Sequence, residues 1–312
     1  MRRIRLGSGG ELEVTVLCLG TMHYGSRDDD ATSYDMLDRY VAGGGNFLDT
    51  SNNYAVWVEG AGGGESETLL GKWMKDRRNR DQLVIATKVG FGHHDVPTSS
   101  KAEVIEREVE GSLKRLGIDT IDLYYNHRDD RDVPLEEQLG VMDKLVKAGK
   151  VRCIGASNVK AWRLEEARWI SLNNGFAHRA CVQQRFTYLR PKVGATFGGH
   201  KIANRDLLEY CRHHELPLLV YSSFLSGAYT RDDRPLPEQY LHADSDARLQ
   251  VLRTVAKEVD ATPNQVILAW LLRQDIIPVI SASRPEQMEE NLGGPDVKLT
   301  DEQMDRLQKA RA

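Results

Sequence analysis

Residues 83–127 read LVIATKVGFGHHDVPTSSKAEVIEREVEGSLKRLGIDTIDLYYNH. Two short apolar runs, LVIATKVG (83–90) and IDLYYNH (121–127), enclose KAEVIEREVEGSLKRLG (101–117), whose apolar residues recur at three- and four-residue spacing. The runs predict strands and the spacing predicts an amphipathic helix between them. A strand, a helix and a second strand form a unit whose strands pair in parallel. The alternation continues in both directions. Upstream lie VLCLGTM (16–22), NFLDT (46–50) and the helical SETLLGKWMKD (66–76); downstream lie VRCIGASN (151–158), CVQQ (181–184), LPLLVYSS (216–223) and IIPVIS (276–281). Between the downstream strands, PLEEQLGVMDKLVKAG (134–149) and RLEEARWISLNN (163–174) read as helices. Eight strands complete an α/β fold, the (β/α)8 TIM barrel.

Local punctuation agrees with those boundaries. Pro134 opens one helix, and Gly117 and Gly149 stand where carboxy-terminal caps belong. IRLG (4–7) and LEVTV (12–16) flank the glycine-rich GSGGE, which predicts an N-terminal β-hairpin plugging the barrel's amino-terminal end. No linker or longer repeat divides the chain, so residues 1–312 read as a single domain. Long loops after strands 2 and 7, at 52–65 and 223–244, are expected to overhang the catalytic mouth.

Composition narrows the function classes. The chain is 40% hydrophobic and 7% aromatic with a net charge of -4, a composition without basic bias, so nucleic acid is not an expected partner. No apolar run approaches the roughly 18 residues of a spanning helix, and the start, MRRIRLGSGGELEV, lacks a signal peptide's apolar core. A cytoplasmic protein is expected. Cys18, Cys153, Cys181 and Cys211 lack the paired spacing of zinc ligands and read as buried free thiols. The pairs His93–His94 and His213–His214 point their side chains apart and predict no metal site. GAGGGES (60–66) lacks the Gly-Lys-Ser/Thr ending of a phosphate loop and reads as a hinge into a helix capped by Ser66.

In a parallel barrel the chemistry gathers where the strands end. NFLDT presents Asp49, LVIATK presents Lys88 and IDLYYNH presents His127, while Tyr54 follows Asp49 in the next loop. An ammonium beside a phenol favours the phenolate, so Lys88 is expected to draw the Tyr54 pKa down towards the working range. Asp49 would keep Lys88 charged, and a neutral His127 could hydrogen-bond a substrate oxygen. This set suits protonation of a carbonyl oxygen.

The segments NFLDTSNNY, LVIATK, IDLYYNH and GASN closely resemble the signature segments of the aldo-keto reductases, in the family's order, from LGTM near the start to SASRPEQMEEN near the end. The resemblance implies that Asp49, Tyr54, Lys88 and His127 form the catalytic set of an oxidoreductase that reduces an aldehyde or ketone, sugar-type or otherwise small, to an alcohol. It implies NADPH as cofactor, with NADH the alternative, lying across the mouth without a GxGxxG motif. Ser157, Asn158 and Gln183 match the positions that hold the carboxamide, and Tyr221 matches the ring stacked on the nicotinamide. SASRPEQMEEN combines hydroxyls, an arginine and a proline-started helix, the ingredients of an anion site. The likeness assigns the adenosine phosphate there to Ser281, Ser283, Arg284, Gln287 and Asn291, with Arg284 as clamp. The loop after strand 2 is longer than the family's and brings in Trp57. Met22, His23, Tyr24 and Trp57 are the candidate substrate pocket, with Phe224 a secondary candidate. Two other readings stay open: a Schiff-base, aldolase-like barrel using Lys88, and a cofactor-binding regulatory module of the same fold with little turnover.

Overall fold

The computed structural model describes residues 1–7 and 9–312. The amino-terminal strands β1 (Arg3–Leu6) and β2 (Leu12–Thr15) form the expected antiparallel hairpin. Eight parallel strands then close into a barrel: β3 (Cys18–Gly20), β4 (Phe47–Asp49), β5 (Val84–Val89), β6 (Ile121–Asn126), β7 (Val151–Ser157), β8 (Arg179–Arg185), β9 (Leu218–Tyr221) and β10 (Ile276–Ile280). β10 pairs with both β9 and β3, which closes the ring.

Helices α1 (Asp30–Ala42), α2 (Glu65–Arg77), α3 (Ala102–Leu116), α4 (Leu135–Lys147), α5 (Ala161–Asn174) and α6 (Arg205–His213) follow β3 to β8 in turn. α7 (Ala243–Glu258) and α8 (Pro263–Leu272) both separate β9 from β10, and α9 (Pro285–Gly293) and α10 (Asp301–Lys309) follow β10. Side-chain caps start several of these helices. Asp29 accepts from Thr32 N at α1, and Thr262 with Gln265 forms a reciprocal capping box at α8. Gly117 ends α3 in the left-handed region at φ 65°, as its place in the sequence predicts. The α2 reading needs correction. Gly64, at φ 89°, occupies the N-cap, and Ser66 lies inside the first turn with its hydroxyl buried against Thr21 and Thr50.

Strand periodicity decides what fills the barrel, because alternate side chains point inward. Phe47, Ala86, Leu123, Cys153, Cys181, Leu219 and Ile277 pack there against Leu6, Leu12 and Val14 of the hairpin. The hairpin thus plugs the strands' amino-terminal end. One two-residue step further along, the same inward rows carry Asp49, Lys88, Tyr125, Gln183 and Tyr221. Gly155 lies beside Tyr125 in this upper layer because a Cβ there would come within 2.5 Å of the tyrosine ring. The larger core clusters lie between strands and helices, and all four cysteines are buried and free. Among the described residues, no helix is long and apolar enough to cross a membrane.

The mouth is framed by long connections after β4 and β9, as expected, and by a third after β8 (186–204) that the sequence reading did not single out. Several non-glycine residues with positive φ sit in these connections, Ala55, Ser222, Leu225 and Ser226, and another, Asn158, directly follows β7. Such conformations concentrate where surrounding contacts enforce them.

Candidate active site

Asp49 ends β4 and Lys88 lies near the end of β5, opposite Tyr125 of β6. Their side chains meet inside the barrel, where both are almost fully buried. Lys88 Nζ donates to Asp49 Oδ1 at 2.5 Å, to the Thr50 carbonyl at 2.6 Å and to Tyr54 Oη at 2.8 Å. All three ammonium protons have acceptors. Burial alone would lower the Lys88 pKa, but Asp49 and Tyr54 outweigh it and hold the ammonium above its ordinary value.

Tyr54 reverses its expected direction. Burial pushes its phenol up to about 12, and the Lys88 ammonium recovers only part of that. The phenol therefore keeps its proton throughout the neutral range. His127 is also buried, and burial together with Lys88 holds its imidazole well below its ordinary value and hence neutral. The His127 ring lies 6.1 Å from the Tyr54 ring and 4.8 Å from that of Phe91, centroid to centroid. Ser51 Oγ donates to Asn53 Oδ1 at 2.7 Å and lies 3.1 Å from His127 Nδ1, a contact whose direction follows the imidazole tautomer. Ser51 drew no attention in the sequence, although it stands two residues past Asp49.

The strands opposite supply a second polar layer. Gln183 Nε2 donates to Asp49 Oδ2 at 2.8 Å, so one end of its amide is committed to the carboxylate. Asn158, at φ 56°, is tied down completely. Its Nδ2 donates to the His127 carbonyl at 2.9 Å and to Ser157 Oγ at 3.1 Å, while its Oδ1 accepts from Lys201 N at 3.0 Å and Tyr221 Oη at 2.6 Å. Here Asn158 knots three strand ends together. His200, on the unanticipated third connection, puts Nδ1 3.0 Å from Tyr221 Oη. Ser157 is buried, whereas Tyr221 is only partly so.

The segment after β10 surrounds the start of α9. Arg284 is its N-cap, exposed and without an ion pair among the described residues. Gln287 Oε1 accepts from Ser283 N at 2.9 Å, Asn291 donates to the Ser281 carbonyl at 3.1 Å, and Ser283 Oγ donates to Asp28 Oδ2 at 2.7 Å. Asp28 thus brings a carboxylate to this corner. Among the pocket candidates, Met22 and Trp57 are exposed, and Trp57 packs edge-on at 6.2 Å from Tyr54. Phe224 is only partly buried, packed between two core clusters, and His23 buries Nδ1 without a partner among the described residues. Tyr24 departs from its expected place. It is buried, and its hydroxyl donates to the Ala282 carbonyl at 2.9 Å, so it braces the mouth from beneath.

A sequence profile of the Aldo/keto reductase family matches residues 16–312. The chain belongs to this family. It is 30% identical to "Aldo-keto reductase yakc" of Schizosaccharomyces pombe, a name that carries NADP(+), over 94% of this chain and 86% of that one. It is 32% identical to the norsolorinic acid reductase stcV of Emericella nidulans, over 94% and 77% respectively. A crystal structure of a thermostable aldo-keto reductase with the inhibitor epalrestat superposes with a TM-score of 0.77 at 30% identity, covering 98% of each chain. Membership makes the protein an oxidoreductase.

Proposed function

We propose that the protein reduces an aldehyde or ketone to the alcohol with NADPH, Tyr54 donating the proton. The observation that carries this reading is the Tyr54 hydroxyl at 2.8 Å from an ammonium that is itself locked to a buried carboxylate. A phenol that keeps its proton is an acid in place, and Lys88 stabilises the phenolate it leaves behind. Neutral His127 can orient the carbonyl oxygen in the tautomer that carries its proton on Nε2. Lys88 fits this role better than that of a Schiff-base nucleophile, because its three protons are all engaged. A cofactor-binding module without turnover is excluded if purified protein oxidises NADPH when given aldehydes.

The chain's donors suit the cofactor. Arg284 offers a guanidinium at a helix start with no ion pair among the described residues, Ser281 an exposed hydroxyl, and Tyr221 a partly buried ring. Bound NADPH would supply the hydride to the carbonyl carbon. Arg284→Ala should weaken NADPH binding by roughly 1.5–3 kcal/mol and leave NADH nearly unchanged. Asp28→Asn, by removing the carboxylate beside Ser283, should tighten NADPH by about 0.5–1 kcal/mol. Fluorescence titration reads both, and equal responses of the two cofactors would move the phosphate elsewhere.

Trp57, Phe91 and His127 wall the space beside Tyr54 with rings, which favours a flat, apolar carbonyl compound over a sugar aldehyde. Trp57→Ala should lower kcat/KM for aromatic aldehydes by roughly 3–10-fold while sparing short aliphatic ones. An unchanged substrate profile would make Trp57 a rim residue only.

A further inference from the structure

The barrel's opposite end holds a cavity of about 220 Å³, between α5, α6 and the starts of β8 and β9, beneath Gly7 of the hairpin. Ala167, Ala180 and Pro217 give it apolar walls, and Arg179, the first residue of β8, lines it. The Nε and Nη1 atoms of Arg179 are buried and have no hydrogen-bond partner among the described residues. Neighbouring carboxylates do not relieve it. Glu165 accepts from Arg168 at 2.7 Å and from Tyr210 at 3.1 Å, and Asp129 is held by Arg163 at 3.0 Å. Glu215, also on the lining, makes no ion pair among the described residues. Burial draws the Arg179 guanidinium down to about 10, which leaves it charged at neutral pH.

Arg179 is partly buried, and leaving its two inner guanidinium nitrogens without partners is costly, while a planar guanidinium is shaped to grip two oxygens at once. We propose that this cavity binds a small organic oxyanion, a carboxylate or phosphate monoester on a compact apolar body, clamped by Arg179. The apolar walls take the body. The site lies across the barrel from Tyr54, so its ligand acts apart from the substrate.

The test uses the full chain at fixed ionic strength, with sodium benzoate and inorganic phosphate as separate probes for the two oxyanion sources. At least one should raise the melting temperature saturably. Its calorimetric affinity should fall about tenfold or more in Arg179→Met, less in Arg179→Lys, and not at all in Arg284→Ala at the other end. Without anion, Arg179→Met should melt no lower than the native chain, because it removes a cation whose buried nitrogens have no partner among the described residues. The proposal is overturned if neither anion binds, if Arg179→Met binds as well as the native chain, or if affinity is lost in Arg284→Ala instead. A large fall in the melting point of anion-free Arg179→Met would also overturn it, since the arginine would then be a structural support.

Discussion

Tyr54→Phe is expected to keep its fold and its NADPH affinity but to reduce carbonyl compounds about 10²–10⁴-fold more slowly than the native chain. The substitution deletes one hydroxyl and leaves the ring's packing against Trp57 intact. Lys88 keeps its bonds to Asp49 and the Thr50 carbonyl, so the buried charge stays compensated. The pH profile adds an independent check. An acid must be protonated to act, and its contribution is lost as pH rises through its pKa. With Tyr54 pushed up to about 12, reduction in the native chain should lose no acid through neutrality and fall only at strongly alkaline pH. No limb should appear near the ordinary histidine value, because His127 stays neutral well below it. Near-native reduction by Tyr54→Phe, with a deuterium isotope effect showing hydride transfer to be rate-limiting, would remove Tyr54 from the chemistry.

Lys88→Met is expected to damage both stability and turnover. It strands the Asp49 carboxylate inside the barrel with Gln183 as its remaining side-chain donor. Breaking one side of a buried ion pair costs about 3–5 kcal/mol, which for a chain of this size lowers the melting temperature by on the order of 10 °C. The double variant Lys88→Met/Asp49→Asn removes both charges and should recover most of that stability without recovering reduction. A double variant as unstable as the single one would show that ammonium geometry, rather than charge compensation, supports the barrel.

Much of this site was legible because a strand has a period of two. Once NFLDT and LVIATK read as parallel strands, Asp49 and Lys88 fell on one inward face, and the structure joins them directly. What stayed hidden depends on contacts between distant segments. Gln183 reaches Asp49 across 134 residues of sequence, and the four bonds of Asn158 involve β6, β7, β9 and the connection after β8. Neither follows from a local pattern. The Tyr54 pKa was misjudged for a different reason. Sequence shows that an ammonium is near, but only the folded environment shows that desolvation outweighs it. Ser66 reads as a cap on propensity alone, whereas the close approach of Thr21 and Thr50 draws its hydroxyl inward.

The Gln183–Asp49 hydrogen bond joins the second strand of the barrel to the sixth, and it divides labour along the polypeptide. Asp49, Tyr54, Lys88 and His127 all belong to the first half of the chain. Ser157, Gln183, Tyr221 and Arg284 belong to the second. Proton delivery and the grip on the nicotinamide cofactor would therefore be separately inherited properties, stitched together at the Gln183 and Asn158 amides. A chimaera that exchanges everything after α4 with a relative would carry over the partner's coenzyme preference while retaining its own acid. Its activity would depend on whether the incoming strand again offers a donor to Asp49.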